Sequence, residues 1–174
     1  MEFQFDNSSA QLVSSLEYML GQITGNIPPQ ADKEDILFRC KVIITELLTN
    51  AIKHAGKGGT HFDIEMDGQK LIICKTETGM PLYLVNTRNN TTKADGELNK
   101  RLISADFLNS LYAIWESENN IRFASEEGSL NDFLPVEQVM EHFGILIITR
   151  SSDEFTYTYD KTTHTNVFRV KINF

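Results

Sequence analysis

The sequence predicts an α+β fold, a two-layer sandwich of a mostly antiparallel sheet with helices on one face. Three observations lead there. Short period-two segments stand at both ends of the chain, two stretches near the N-terminus carry apolar residues at helical spacing, and most later strand-like segments come in consecutive pairs. Residues 2–6 alternate polar and apolar (Glu2, Phe3, Gln4, Phe5, Asp6), the pattern of a half-buried strand. Asn7, Ser8 and Ser9 follow as capping residues for a helix with Leu12, Leu16, Met19, Leu20 and Ile23 on one face. Gly25 and Pro28–Pro29 close it. A second helix begins near Ala31–Asp32 and carries Ile36, Cys40, Ile43, Ile44, Leu47, Leu48, Ala51 and Ala55 before Gly56–Lys57–Gly58–Gly59 stops it. Residues 61–66 and 70–75 read as strands joined at Asp67–Gly68, a strong hairpin signal.

The middle of the chain is harder to read. Residues 86–96 are polar and turn-rich, and are expected as loop. Leu98, Leu102, Ile103, Phe107, Leu108, Leu111, Tyr112 and Trp115 form a wide stripe if 97–116 is a helix, which is the expectation. An irregular stretch follows, and Pro135 opens a helix through Val136, Val139 and Met140. The chain then reads as a helix over 143–150 and strands over 154–160 and 165–173.

Of the 174 residues, 41% are apolar, enough for one sizeable core without staples, and a single domain over 1–174 is expected. Lysine and arginine number 16 against 24 aspartates and glutamates, so the net charge of −8 argues against a general nucleic-acid binder or a binder of anionic membranes. No apolar run approaches the roughly 20 residues of a membrane span, and the start MEFQFDNSS has no signal-peptide character. Cys40 and Cys74 stand apart in apolar surroundings and read as buried reduced thiols, consistent with a cytoplasmic location.

The sharpest feature is the run from Thr45 to Ala55. Glu46, Asn50 and His54 are spaced by four, so each lags the last by about 40° around the helix and the three share a face. A carboxylate, a carboxamide and an imidazole on one stripe of an otherwise apolar helix need water, partners or a ligand. A solvated face satisfies that need as well, and on spacing alone the two readings stand level.

The run Glu46-x-x-x-Asn50-x-x-x-His54-Ala55 resembles the N box of the GHKL superfamily of ATPases and kinases, which bind ATP on the Bergerat fold. Within the superfamily the chain is most similar to anti-sigma-factor serine/threonine kinases, and Gly144–Ile148, Ser152–Glu154 and Thr165-x-Val167–Phe168 resemble their closing helix and last two strands. The resemblance implies an ATP-binding regulator that transfers the γ-phosphate to a protein serine or threonine. By that resemblance Asn50 coordinates Mg²⁺, Glu46 orients and deprotonates the attacking hydroxyl, and His54 sits at a variable basic position. Glu77–Thr78–Gly79–Met80–Pro81 stands where the family has Asp-x-Gly-x-Gly or Asp-x-Gly-x-Pro, which makes Glu77 and Gly79 adenine-site residues. Gly144 and Thr165 complete the implied nucleotide contacts.

Two departures accompany the match. Glu77 replaces aspartate, which moves its carboxylate by more than an ångström, on the order of the whole tolerance of a hydrogen bond. Met140 and His142 occupy the positions of the family's lid glycines, and the lid region, about 82–142, is longer than the small kinases need. They favour an alternative: a degenerate Bergerat-fold interaction module with weak or no nucleotide binding. The implied partner is a sigma factor or an anti-anti-sigma regulator, and a homodimer through the N-terminal strand and helix is implied as well.

Overall fold

The computed structural model describes residues 1–56, 58–82, 84, 99–105, 108–127 and 142–174. Strand β1 (Glu2–Phe5) runs through a 3-10 turn (Ser9–Gln11) into helix α1 (Leu12–Thr24), and α2 (Lys33–His54) follows. The Asp32 carboxylate caps α2 by accepting the Asp35 N–H at 3.1 Å. Glu34 and Asp35 lie in its first turn and Lys53 and His54 in its last, so charge and helix dipole agree at both ends. Strands β2 (Thr60–Met66) and β3 (Lys70–Thr78) form the expected hairpin, with Gly68 at φ +88° where a Cβ would strain the turn. Strands β4 (Asn99–Ala105), β5 (Asn109–Ser117) and β6 (Asn120–Glu127) come next, then helix α3 (Phe143–Ser151) and strands β7 (Glu154–Asp160) and β8 (Thr165–Asn173).

Among the described residues, eight strands join one antiparallel sheet in the order β1-β2-β3-β8-β7-β6-β5-β4. The last hairpin therefore fills the centre, with β8 between β3 and β7. Alternate strand residues (Phe62, Ile73, Val170, Phe155 and Phe123 among them) share a single core with Met19 of α1, Ile43, Leu47 and Leu48 of α2, and Leu146 and Ile148 of α3. Among the described residues no helix is long and apolar enough to cross a membrane.

One expectation is overturned. Residues 99–105 and 109–117 are strands, not part of a helix over 97–116, and 120–127 is a third strand where no regular element was expected. The cause lies in the pattern. Ser110, Leu111, Ala113 and Ile114 are all buried, so β5 is covered on both faces and its apolar run is too dense to show a period of two. A register shift between Leu102 and Ser104 breaks the alternation in β4 as well. Three of the eight strands thus come from within the expected insertion at 82–142, which widens the sheet. The loop at 86–96 and the helix through Val136–Met140 lie outside the described residues, as do Leu98 and Phe107.

Cys40 is buried, and burial pushes its thiol up to about 12 although the Arg39 charge opposes the shift. Cys74 is only half-buried, because strand alternation turns it away from the core that holds Ile73.

Arg39 ties α2 to the α3–β7 junction. It donates to the Ser151 carbonyl at 2.9 Å and to Asp153 Oδ2 at 2.6 Å, and Asp153 also accepts the Asn173 N–H at 2.8 Å. Partial burial pushes the Asp153 carboxyl up, but the Asn173 N–H and the Arg39 guanidinium outweigh it and hold the group below its usual range. A depressed carboxyl stabilises the fold above its unfolded-state value and loses that contribution as acid titrates it. Asp153→Ala is expected to cost about 1 kcal/mol at neutral pH, a modest figure for a pair this exposed. In urea titrations the gap should persist at neutral pH and close below about pH 4; a gap that does not change with pH would refute the assignment.

Candidate functional site

The C-terminal half of α2 and the first turn of α3 face each other over the sheet, and between them lies a cavity of about 310 Å³. Its helical wall carries Asn50, His54, Gly144 and Ile145, its floor Lys75, Glu77, Asn166 and Phe168, and its rim Met80, Pro81 and Leu82. The volume falls in the range of small-molecule sites.

Two of the three residues spaced by four, Glu46 and Asn50, meet α3 at one point. A Cβ on Gly144 would lie 2.8 Å from Glu46 Oε2 and 3.5 Å from Asn50 Nδ2, so only glycine lets both polar groups close on the helix start. The first-turn N–H groups of α3 have no partners within the helix, and the positive end of its dipole favours an anionic neighbour. Glu46 and Asn50 are half-buried and His54 is exposed at the end of α2.

The floor of the cavity holds an ion pair. Lys75 is 1% exposed and Glu77 7%, with Nζ and Oε2 2.7 Å apart. The Thr60 hydroxyl, which donates to Asn7 Oδ1 at 2.8 Å, lies 3.5 Å from the same oxygen, and the Lys75 ammonium lies 4.7 Å from the centre of the Phe168 ring. Burial pushes the Lys75 ammonium below its usual value, and the Glu77 charge and hydrogen bond oppose that shift. Lys75 sits in a lateral row of the sheet otherwise apolar or aromatic, with Phe62, Phe168, Tyr157 and Ile121 side by side on successive strands, while Glu77 stands in the next row of that face between Thr60 and Asn166.

A second network fixes the rim. The Tyr157 hydroxyl accepts the Leu82 N–H at 2.8 Å and donates to Asn166 Oδ1 at 2.7 Å, while Asn166 Nδ2 donates to the Met80 carbonyl at 3.2 Å. Tyr157→Phe removes the shared hydroxyl and is expected to cost about 1–3 kcal/mol. Amide exchange at Leu82 should accelerate more than at core amides such as Val170; uniform acceleration would show that the hydroxyl does not hold the rim.

Of the residues predicted from sequence, Asn50, His54, Glu77 and Gly144 line this one cavity, and Glu46 touches Gly144 behind Asn50. Gly79 lies just outside it: a Cβ there would stand 3.9 Å from Asn166 Nδ2. Thr165 is not brought in. It pairs with Thr78 and exchanges hydrogen bonds with Thr163, while the next residue, Asn166, points into the cavity. A one-residue step along a strand changes face.

Lys75, Asn166 and Tyr157 were not anticipated. For Lys75 the signal existed: Leu71, Ile73, Lys75 and Glu77 alternate along β3, so a core-facing lysine follows once the strand extends past residue 75. His142, noted at a lid-glycine position, is buried and lines the cavity; Met140 lies outside the described residues. No protein-family model matches the chain, and no curated protein matches it in sequence.

Proposed function

We propose that this chain is an ATP-binding regulatory protein of the Bergerat type, resembling anti-sigma-factor serine/threonine kinases, that transfers the ATP γ-phosphate to a serine or threonine of a protein partner. The observation that carries the reading is the meeting of Asn50 and Glu46 with Gly144 at the start of α3, on the wall of the cavity that also contains Glu77. The partner would be a sigma factor or an anti-anti-sigma regulator, as the N-box resemblance implies.

The donor set fits the implied groups. The Asn50 carboxamide supplies a hard oxygen suited to Mg²⁺, a cation that usually keeps several waters and takes its other ligands from substrate phosphates. Among the described residues no three His, Cys, Asp or Glu side chains cluster as a metal cage, and such a site needs none. Bound Mg²⁺ would neutralise phosphate charge. The α3 N–H groups would hold phosphate oxygens, favourable dipole included, against the overall charge of −8. Glu46, one turn before Asn50, would orient the attacking hydroxyl and accept its proton. Catalysis would then consist of positioning and charge stabilisation.

The second reading is an interaction module with weak or no nucleotide binding, and one observation favours it: the Glu77 carboxylate is engaged by Lys75. A thermal-shift titration separates the two. Mg-ATP at 100 times its dissociation constant should add about 2.7 kcal/mol of stability. Absence of any shift at millimolar Mg-ATP and Mg-ADP would remove the kinase reading and leave the interaction module.

A further inference from the structure

A lone buried carboxylate can only accept hydrogen bonds; it welcomes an amino group on a ligand ring and repels a ring carbonyl. The cavity floor differs from that. Glu77 Oε2 takes the Lys75 ammonium at 2.7 Å, with the Thr60 hydroxyl 3.5 Å away, which leaves the lone pairs of Oε1 for a ligand. Lys75 has three N–H donors, of which Glu77 takes one. A donor and an acceptor therefore stand side by side on the lining, next to the Phe168 ring.

We propose that Lys75 and Glu77 together read the Watson–Crick edge of a purine, so that the site admits guanine as well as adenine. With guanine, the ammonium donates to O6 while the carboxylate accepts N1–H and the 2-amino group. With adenine, the ammonium donates to N1 and the carboxylate accepts the 6-amino group. The two edges present acceptor and donor in opposite order, so the same pair matches both with adenine turned over in the cavity relative to guanine. This rests on the nucleotide reading above and names the base specificity of the same site. Lys75 is the specificity-determining residue: without it, O6 faces a carboxylate with no donor between them, an unpaired polar contact of the kind that binding sites reject strongly.

The test is a thermal-shift titration of the full chain with Mg²⁺ and, in turn, ATP, GTP, inosine triphosphate and purine riboside triphosphate, which has no 6-substituent. The expected result is that GTP and inosine triphosphate bind within tenfold of ATP, and that purine riboside triphosphate binds at least tenfold more weakly than all three. Lys75→Met should weaken GTP at least tenfold relative to ATP. Because that variant forfeits a buried ion pair, the ligand series on the unaltered chain carries the test by itself. GTP more than tenfold weaker than ATP overturns the proposal and leaves the nucleotide reading standing. Equal binding of all four overturns it too, since recognition would then rest on phosphate alone. If none of the four binds, the nucleotide reading fails and the base specificity with it.

Discussion

Replacing Lys75 with methionine is expected to destabilise the fold by about 3–5 kcal/mol, the usual cost of removing one partner of a buried ion pair. The reason is what remains. Glu77 is 7% exposed, and without the ammonium its buried charge would be left between Thr60, whose hydroxyl proton is already given to Asn7 Oδ1 at 2.8 Å, and Asn166 on the next strand. The pair itself is not a large source of stability, since desolvating two ions offsets most of their attraction. Lys75→Met with Glu77→Leu should therefore recover most of the loss, ending within about 1–2 kcal/mol of the parent chain. Chemical denaturation of the three proteins decides the matter. A double variant as unstable as the single one would mean that lysine's shape, and not its charge, is needed on the cavity floor.

The second large effect is what the proposed kinase reading requires. Asn50→Ala should abolish the Mg²⁺ dependence of ATP binding, because it removes the oxygen donor beside the α3 start. Glu46→Gln should leave Mg-ATP affinity nearly unchanged and lower phosphoryl transfer by about 10²–10⁴-fold, the range for loss of a positioned general base. Glutamine keeps the length of the side chain against Gly144, so a change in binding cannot be blamed on lost packing. Equal loss of affinity in both variants would contradict the separate roles and point to a purely structural stripe on α2.

Much of this architecture was legible in the residues. Asp32 with its following acids marks the start of α2, Asp67–Gly68 marks the β2–β3 turn, and the strands at 154–160 and 165–173 were expected with the boundaries they have. In each case the signal is local: a cap, a turn residue or an alternation exposed on one face. The failures share a cause as well. β5 is buried on both faces and β4 carries a register shift, so neither displays the alternation that identifies a strand.

The candidate site divides along the same line. The sequence by itself determined the α2 stripe, since three residues four apart must share a helical face whatever packs against them. It also determined that a glycine stands at the start of α3. Only the tertiary structure decided that these meet, because the contact of Glu46 with Gly144 spans 98 positions of chain and no local rule encodes it. Likewise the insertion of β8 between β3 and β7 set Phe168 and Asn166 beside Lys75 and Glu77. That neighbourhood turns a strand lysine into a buried cation on a cavity floor, for burial and pairing are properties of what the chain brings together.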